Sequence, residues 1–103
     1  MSYAIRVHRH GGPDVLQWEA VDVGEPGTGE VRIRHTAIGL NFIDIYERSG
    51  LYPSALPMIP GREAAGVVEA IGPGVRNFAI GNRVAYVNNG SGAYAQRLSL
   101  IHI

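Results

Sequence analysis

The 103-residue sequence contains no cysteine. That absence excludes a disulfide framework, a thiol nucleophile, an iron–sulfur cluster and any thiolate zinc site, and it accords with a cytoplasmic setting. Charge is scarce as well: charged residues make up 17%, against roughly 25% in an average soluble domain, which points to surface meant to be covered. Neither sign is in excess. Lys plus Arg and Asp plus Glu both number 9, giving a formal charge of zero, so the basic footprint of a nucleic-acid binder is missing. No stretch approaches the ~18 apolar residues of a membrane span. The start, Met1-Ser2-Tyr3-Ala4-Ile5-Arg6, runs into alternating sequence without a signal-peptide core. Neither nucleic acid nor membrane is therefore an expected partner. The length suits one domain and excludes two packed ones.

Glycine, by contrast, is plentiful: 14 residues, where an average chain of this length carries about 7. They are spread along the sequence and predict many tight turns. Between them apolar and polar residues alternate, the period-two signal of strands with one buried face. Six such segments are read at 5–8, 16–23, 31–35, 63–71, 83–87 and 93–98. Turn signals at Gly24, Pro26, Gly27, Gly29 and at Gly72-Pro73-Gly74 separate several of them. One segment reads as helix. Asn41 stands at an N-cap with Asp44 three residues on, while Phe42, Ile45, Tyr46 and Ser49 share a face, and Gly50 and Pro53 stop it. Six short strands and one short helix predict a small antiparallel barrel or sandwich.

Four segments then read together: Gly39-Leu40-Asn41-Phe42-Ile43-Asp44, Arg48-Ser49-Gly50-Leu51-Tyr52-Pro53, Pro60-Gly61-Arg62-Glu63-Ala64-Ala65-Gly66-Val67-Val68 and Gly81-Asn82-Arg83-Val84. In order and spacing they resemble the amino-terminal part of zinc-independent, zeta-crystallin-like NADPH:quinone oxidoreductases of the medium-chain dehydrogenase superfamily. The similarity spans essentially residues 3 to 97. It implies a mainly β fold, a GroES-like partly open β-barrel with one or two short helices, here lacking the Rossmann domain that faces it across the NADPH cleft. The expected division is a GroES-like domain at 1–97 and a possible non-native tail at 98–103. The six tail residues match a translation of CTG TCT CTT ATA CAC ATC, a transposon-end adapter; a natural apolar strand is the alternative.

The resemblance implies catalytic roles for Asn41, Tyr46 and Tyr52 and cofactor contacts for Asn41, Phe42, Ile43, Asp44 and Tyr46. Hydride passes from nicotinamide to a quinone or another electrophilic alkene or carbonyl, so two flat rings must be held at contact distance away from water. A phenol suits a quinone oxygen on which negative charge develops. Each residue also has a plainer reading. Asn41 could be a helix cap, which a cofactor contact does not preclude, and Tyr46 and Tyr52 could be core or rim aromatics. Asp44 and Arg48 form an i, i+4 pair, Arg48 having a local structural role. Glu63 is read as a charge anchoring backbone near the interface and not as a base.

Zinc is not expected. Where zinc-dependent relatives carry Gly-His-Glu this chain reads Gly61-Arg62-Glu63, and the short link 86–92 leaves no room for a cysteine-rich zinc lobe. His8 and His10, two apart, lack a third convergent ligand and are read as solvated. Gly90-Ser91-Gly92-Ala93-Tyr94-Ala95 satisfies the letters of a dinucleotide fingerprint without a following βαβ unit, and is read as a turn. Asn82 departs from the usual Gly-Asp-Arg-Val and loses a carboxylate that would serve a turn. The full-length protein is expected to be a homodimer acting on small molecules. An enone or enoyl-thioester reductase of the same superfamily, and a non-catalytic GroES-like interaction module, are the competing readings.

Overall fold

The computed structural model describes residues 2–87 and 90–100. Asn88 and Asn89 of the expected short link, and residues 101–103 of the expected tail, lie outside them. The elements are β1 (Ser2–Val7), a 3-10 turn (Pro13–Val15), β2 (Leu16–Val21), β3 (Val31–Ile38), α1 (Phe42–Ser49), β4 (Glu63–Ile71), β5 (Arg83–Val87) and β6 (Arg97–Leu100). Every strand pairing is antiparallel. Alternation does what it predicts. Val31 and Ile33 of β3 and Ala64 and Val68 of β4 are buried, and they meet Tyr86, Ala93 and Leu100 in the main core. A smaller core joins Val7, Val15 and Met58.

β1 and β2 form a two-stranded sheet, and the order β5-β4-β3-β6 makes a four-stranded one. They are stitched together by residues 93–96. The Ile5 amide donates to the Tyr94 carbonyl at 2.8 Å and the Gln96 amide to the Tyr3 carbonyl at 2.9 Å. Two sheets joined at this seam give the partly open, mainly β architecture expected of a GroES-like domain. The sixth strand departs from expectation, running Arg97–Leu100 instead of 93–98. Residues 93–96 alternate like a strand, but their backbone groups are shared among Gly61, Pro60 and Tyr3, so they form a crossing and not a ladder. Pro13 opens a 3-10 turn that periodicity did not signal.

At Gly66 β4 leaves no room for a side chain beside β3. A Cβ there would strike the Arg34 carbonyl oxygen and come within 2.8 Å of Ile33 Cγ2. It lies opposite His35, beside the register shift between His35 and Ala37. Asn82 keeps the turn its lost carboxylate would have served: its Oδ1 accepts the Ala79 amide at 2.9 Å.

Candidate functional site

Helix α1 follows β3 directly and is built inside out. Its buried residues are Asp44 and Glu47, while Phe42 is 75% and Ile45 44% exposed. The apolar face read from the sequence is therefore turned away from the core. Polar contacts hold the inner face. Asp44 Oδ2 accepts the Asn41 amide at 3.0 Å and the Tyr94 hydroxyl at 2.7 Å. Glu47 receives Arg62 through Nε at 3.2 Å and Nη2 at 2.9 Å. The helix ends at Gly50, whose φ is 88°. Arg48 makes no ion pair with Asp44. Its Nε donates to the Gly11 carbonyl at 3.2 Å, the local structural role expected of it.

On the outer face the candidate residues gather unevenly. Phe42 and Tyr46 stack with ring centroids 6.5 Å apart, and Tyr46 meets Tyr52 at 5.2 Å, giving a short aromatic ladder. Asn41, Phe42 and Asp44 line a groove of about 490 Å³ together with Leu16, Leu40, Ile45, Arg48 and Tyr94. Asn41 is thus both the residue before the first helical turn and a wall of the groove. Tyr46 and Tyr52 stand beside the groove through the ladder and do not line it, and Ile43 is half-buried off its wall. Asp44 contributes little surface, for its side chain faces inward; its Oδ1 is buried with no hydrogen-bond partner among the described residues.

Arg62, at the position the family resemblance gave to a zinc-binding histidine, carries a guanidinium, a donor that cannot ligate a metal. Among the described residues no three His, Asp or Glu side chains converge as a metal site. His8 bonds Glu19 at 2.7 Å and His10 the Arg48 carbonyl at 3.3 Å; both lie past the end of β1. The Gly90–Ala95 segment forms no helix, and Ala95 bridges to Ala4. Glu63 lies over Gly39, whose amide bonds the Glu63 carbonyl at 3.1 Å.

Comparison with known proteins decides the family. The model of the alcohol dehydrogenase GroES-like domain matches residues 27–99. The chain belongs to this family. As a GroES-like domain it is 50% identical over 97 residues to a quinone oxidoreductase of Pseudomonas aeruginosa, covering 93% of this chain and 30% of that protein. It is 49% identical over 100 residues to a 2-haloacrylate reductase of Burkholderia sp, again covering 93% of this chain and 30% of the relative. The structure of Escherichia coli quinone oxidoreductase in complex with NADPH superposes with a TM-score of 0.92 at 44% identity, over 96% of this chain and 31% of that one. The chain thus spans about 30% of the length of the curated relatives it matches.

Two polar clusters of this GroES-like domain escaped the sequence reading. His35 is enclosed between the Ala95 carbonyl, 2.7 Å from Nδ1, and the Tyr86 hydroxyl, 2.8 Å from Nε2. Burial lowers the His35 pKa against the opposing effect of the Ala95 bond, and burial pushes Tyr86 up to about 12. Across β4, Glu69 takes Arg32 Nε at 2.5 Å and Arg97 Nε at 2.9 Å. Burial alone would raise the Glu69 carboxyl, but the two arginines outweigh it and hold it below its ordinary range. Tyr94 was also missed. Its partner Asp44 lies 50 positions away, a separation no local pattern reports. Among the described residues no helix is long and apolar enough to cross a membrane.

Proposed function

We propose that this domain is the substrate-side wall of an NADPH-dependent, zinc-independent quinone oxidoreductase, with Asn41, Phe42 and the Tyr46–Tyr52 ladder facing the reacting rings. The observation that carries the reading is the inverted helix: a helix that buries two carboxylates and exposes Phe42 and Ile45 is shaped to meet something outside the domain. The identities with quinone oxidoreductases and the likeness to the NADPH-bound enzyme support the choice of partner chemistry.

The residues present fit the nicotinamide end of such a cofactor. The groove has the volume of a small-molecule site, an exposed aromatic edge in Phe42 and an amide in Asn41. Bound there, the nicotinamide supplies the hydride. Asn41 then orients the carboxamide or the acceptor oxygen and Phe42 forms the cofactor side, while Asp44, turned inward, holds the Asn41 amide from behind and Ile43 stands off the groove wall. The phenols of Tyr46 and Tyr52 stabilise negative charge on the acceptor oxygen, and the apolar face excludes water. Arg62, bonded to Glu47, supports a site without zinc. The full-length enzyme is read as a cytoplasmic homodimer, an expectation resting on the family resemblance alone.

A second reading keeps the cleft and changes the acceptor. The 49% identity to 2-haloacrylate reductase supports an electrophilic alkene as the acceptor. Both are tested in a full-length protein carrying this domain, by following NADPH oxidation with 1,4-benzoquinone and with 2-chloroacrylate. Turnover of the quinone with a two-electron product supports the first reading, and preference for the alkene selects the second. NADPH oxidation with neither acceptor overturns both.

A further inference from the structure

The inner face of α1 is held by two anchors one turn apart, Asp44 to Tyr94 and Glu47 to Arg62. Apolar packing would let a two-turn helix roll by some degrees at small cost, because dispersion contacts are not directional. Hydrogen bonds to buried carboxylates do not allow that, since a rotated helix would leave charged oxygens without donors. Tyr94 is itself immobilised from three sides. Its amide donates to the Pro60 carbonyl at 2.9 Å and its carbonyl accepts the Ile5 amide at 2.8 Å. Its ring lies against Gly61, where φ is 104° and a Cβ would come within 2.5 Å of Tyr94 Cδ1. Tyr94 therefore refers α1 to β1 and to the segment leading into β4 at once.

We propose that Tyr94 is a positioning residue: through its bond to Asp44 it fixes the rotation of α1, and so the aim of Asn41, Phe42 and Tyr46 at whatever meets the outer face. The proposal rests on the reading of that face as the wall of the hydride-transfer cleft. Tyr94 is not assigned a chemical step. Its hydroxyl is spent on Asp44, and burial together with that carboxylate raises its pKa, so it remains a neutral donor. The same Asp44 oxygen also holds the Asn41 amide, so a loosened Asp44 shifts Asn41 directly.

The test uses Tyr94→Phe, which keeps the ring on Gly61 and removes only the hydroxyl, and Asp44→Asn, which keeps an acceptor oxygen for the phenol. In the full-length protein, kcat and KM for 1,4-benzoquinone, the NADPH dissociation constant and the unfolding midpoint are measured for both. Misplacement by about 1 Å can cost up to ~100-fold, so Tyr94→Phe is expected to lower kcat at least about tenfold, with NADPH affinity within about twofold. Asp44→Asn, which keeps an acceptor for the phenol, is expected to lose less of kcat than Tyr94→Phe does, and an equal or larger loss counts against the proposal. A merely structural role lowers the midpoint and leaves kcat at low temperature alone, so Tyr94→Phe with kcat within about twofold of the parent overturns the proposal. If the parent protein reduces no quinone, the functional reading fails separately. The positioning claim is then decided in the 103-residue chain by residual dipolar couplings of residues 42–49 against those of β4: an α1 reoriented by Tyr94→Phe sustains it, and an unchanged α1 overturns it.

Discussion

His35 Nε2 accepts the hydroxyl of Tyr86 at 2.8 Å, in a pocket where Nδ1 is already committed to the Ala95 carbonyl. The imidazole therefore carries its proton on Nδ1 and is neutral, as its lowered pKa requires. The folded value lies below the unfolded one of about 6.5, so the unfolded chain binds more protons in the interval between them. The contribution is fully present above about pH 6.5 and is lost as pH falls through the folded value. Urea midpoints measured from pH 8 to pH 5 are expected to decline, and His35→Gln should flatten that decline. A profile equally steep in the variant would refute the assignment.

Glu69 gives a second acid-sensitive contact at lower pH. Its folded pKa is depressed by Arg32 and Arg97, so its contribution is present above the unfolded value of about 4.3 and disappears as pH falls through the folded one. All three side chains keep some solvent contact, so Glu69→Gln should cost only about 1 kcal/mol at neutral pH. The cost should shrink in 1 M salt and vanish in acid. Thermal unfolding at two ionic strengths checks it.

Gly66 permits no side chain. Gly66→Ala places a methyl against the Arg34 carbonyl oxygen, which belongs to the paired strand and cannot move aside. A loss of about 3 kcal/mol or more is expected, read as a collapse of the unfolding midpoint or of soluble yield. Gly12→Ala, whose nearest neighbour is an Asp14 oxygen at 3.4 Å, serves as the control with little effect.

The outward face of α1 predicts the opposite pattern. Phe42→Ser removes a side chain that is 75% exposed, so stability should change by less than about 0.5 kcal/mol. Binding of a hydrophobic dye and self-association of the isolated chain should nevertheless fall. Lost stability with unchanged dye binding would show Phe42 to be packed.

The elements were legible because their signals are local. Alternation marks β1 to β5, and Asn41 with Asp44 and Gly50 brackets α1, since capping and left-handed glycine are properties of neighbouring residues. The likeness in residues 39–53 and 60–68 was also enough to point to the family. What periodicity could not supply was direction. The pattern of Phe42, Ile45 and Tyr46 defines a face of α1 but not which way it turns. That was decided by Tyr94 and Arg62, polar partners 50 and 15 positions from the carboxylates they bind.

The crossing at 93–96, mistaken for strand, shows the same limit, because its alternating burial is genuine while its hydrogen bonds go to two sheets at once. His35 with Tyr86, and Glu69 with Arg32 and Arg97, were unreadable for this reason too. Sequence alone determined where the chain turns, extends and coils, for these follow from steric preferences within a few residues. Tertiary structure alone decided which buried polar groups meet and which apolar face stays uncovered, because those pairings satisfy desolvated charges across the whole fold.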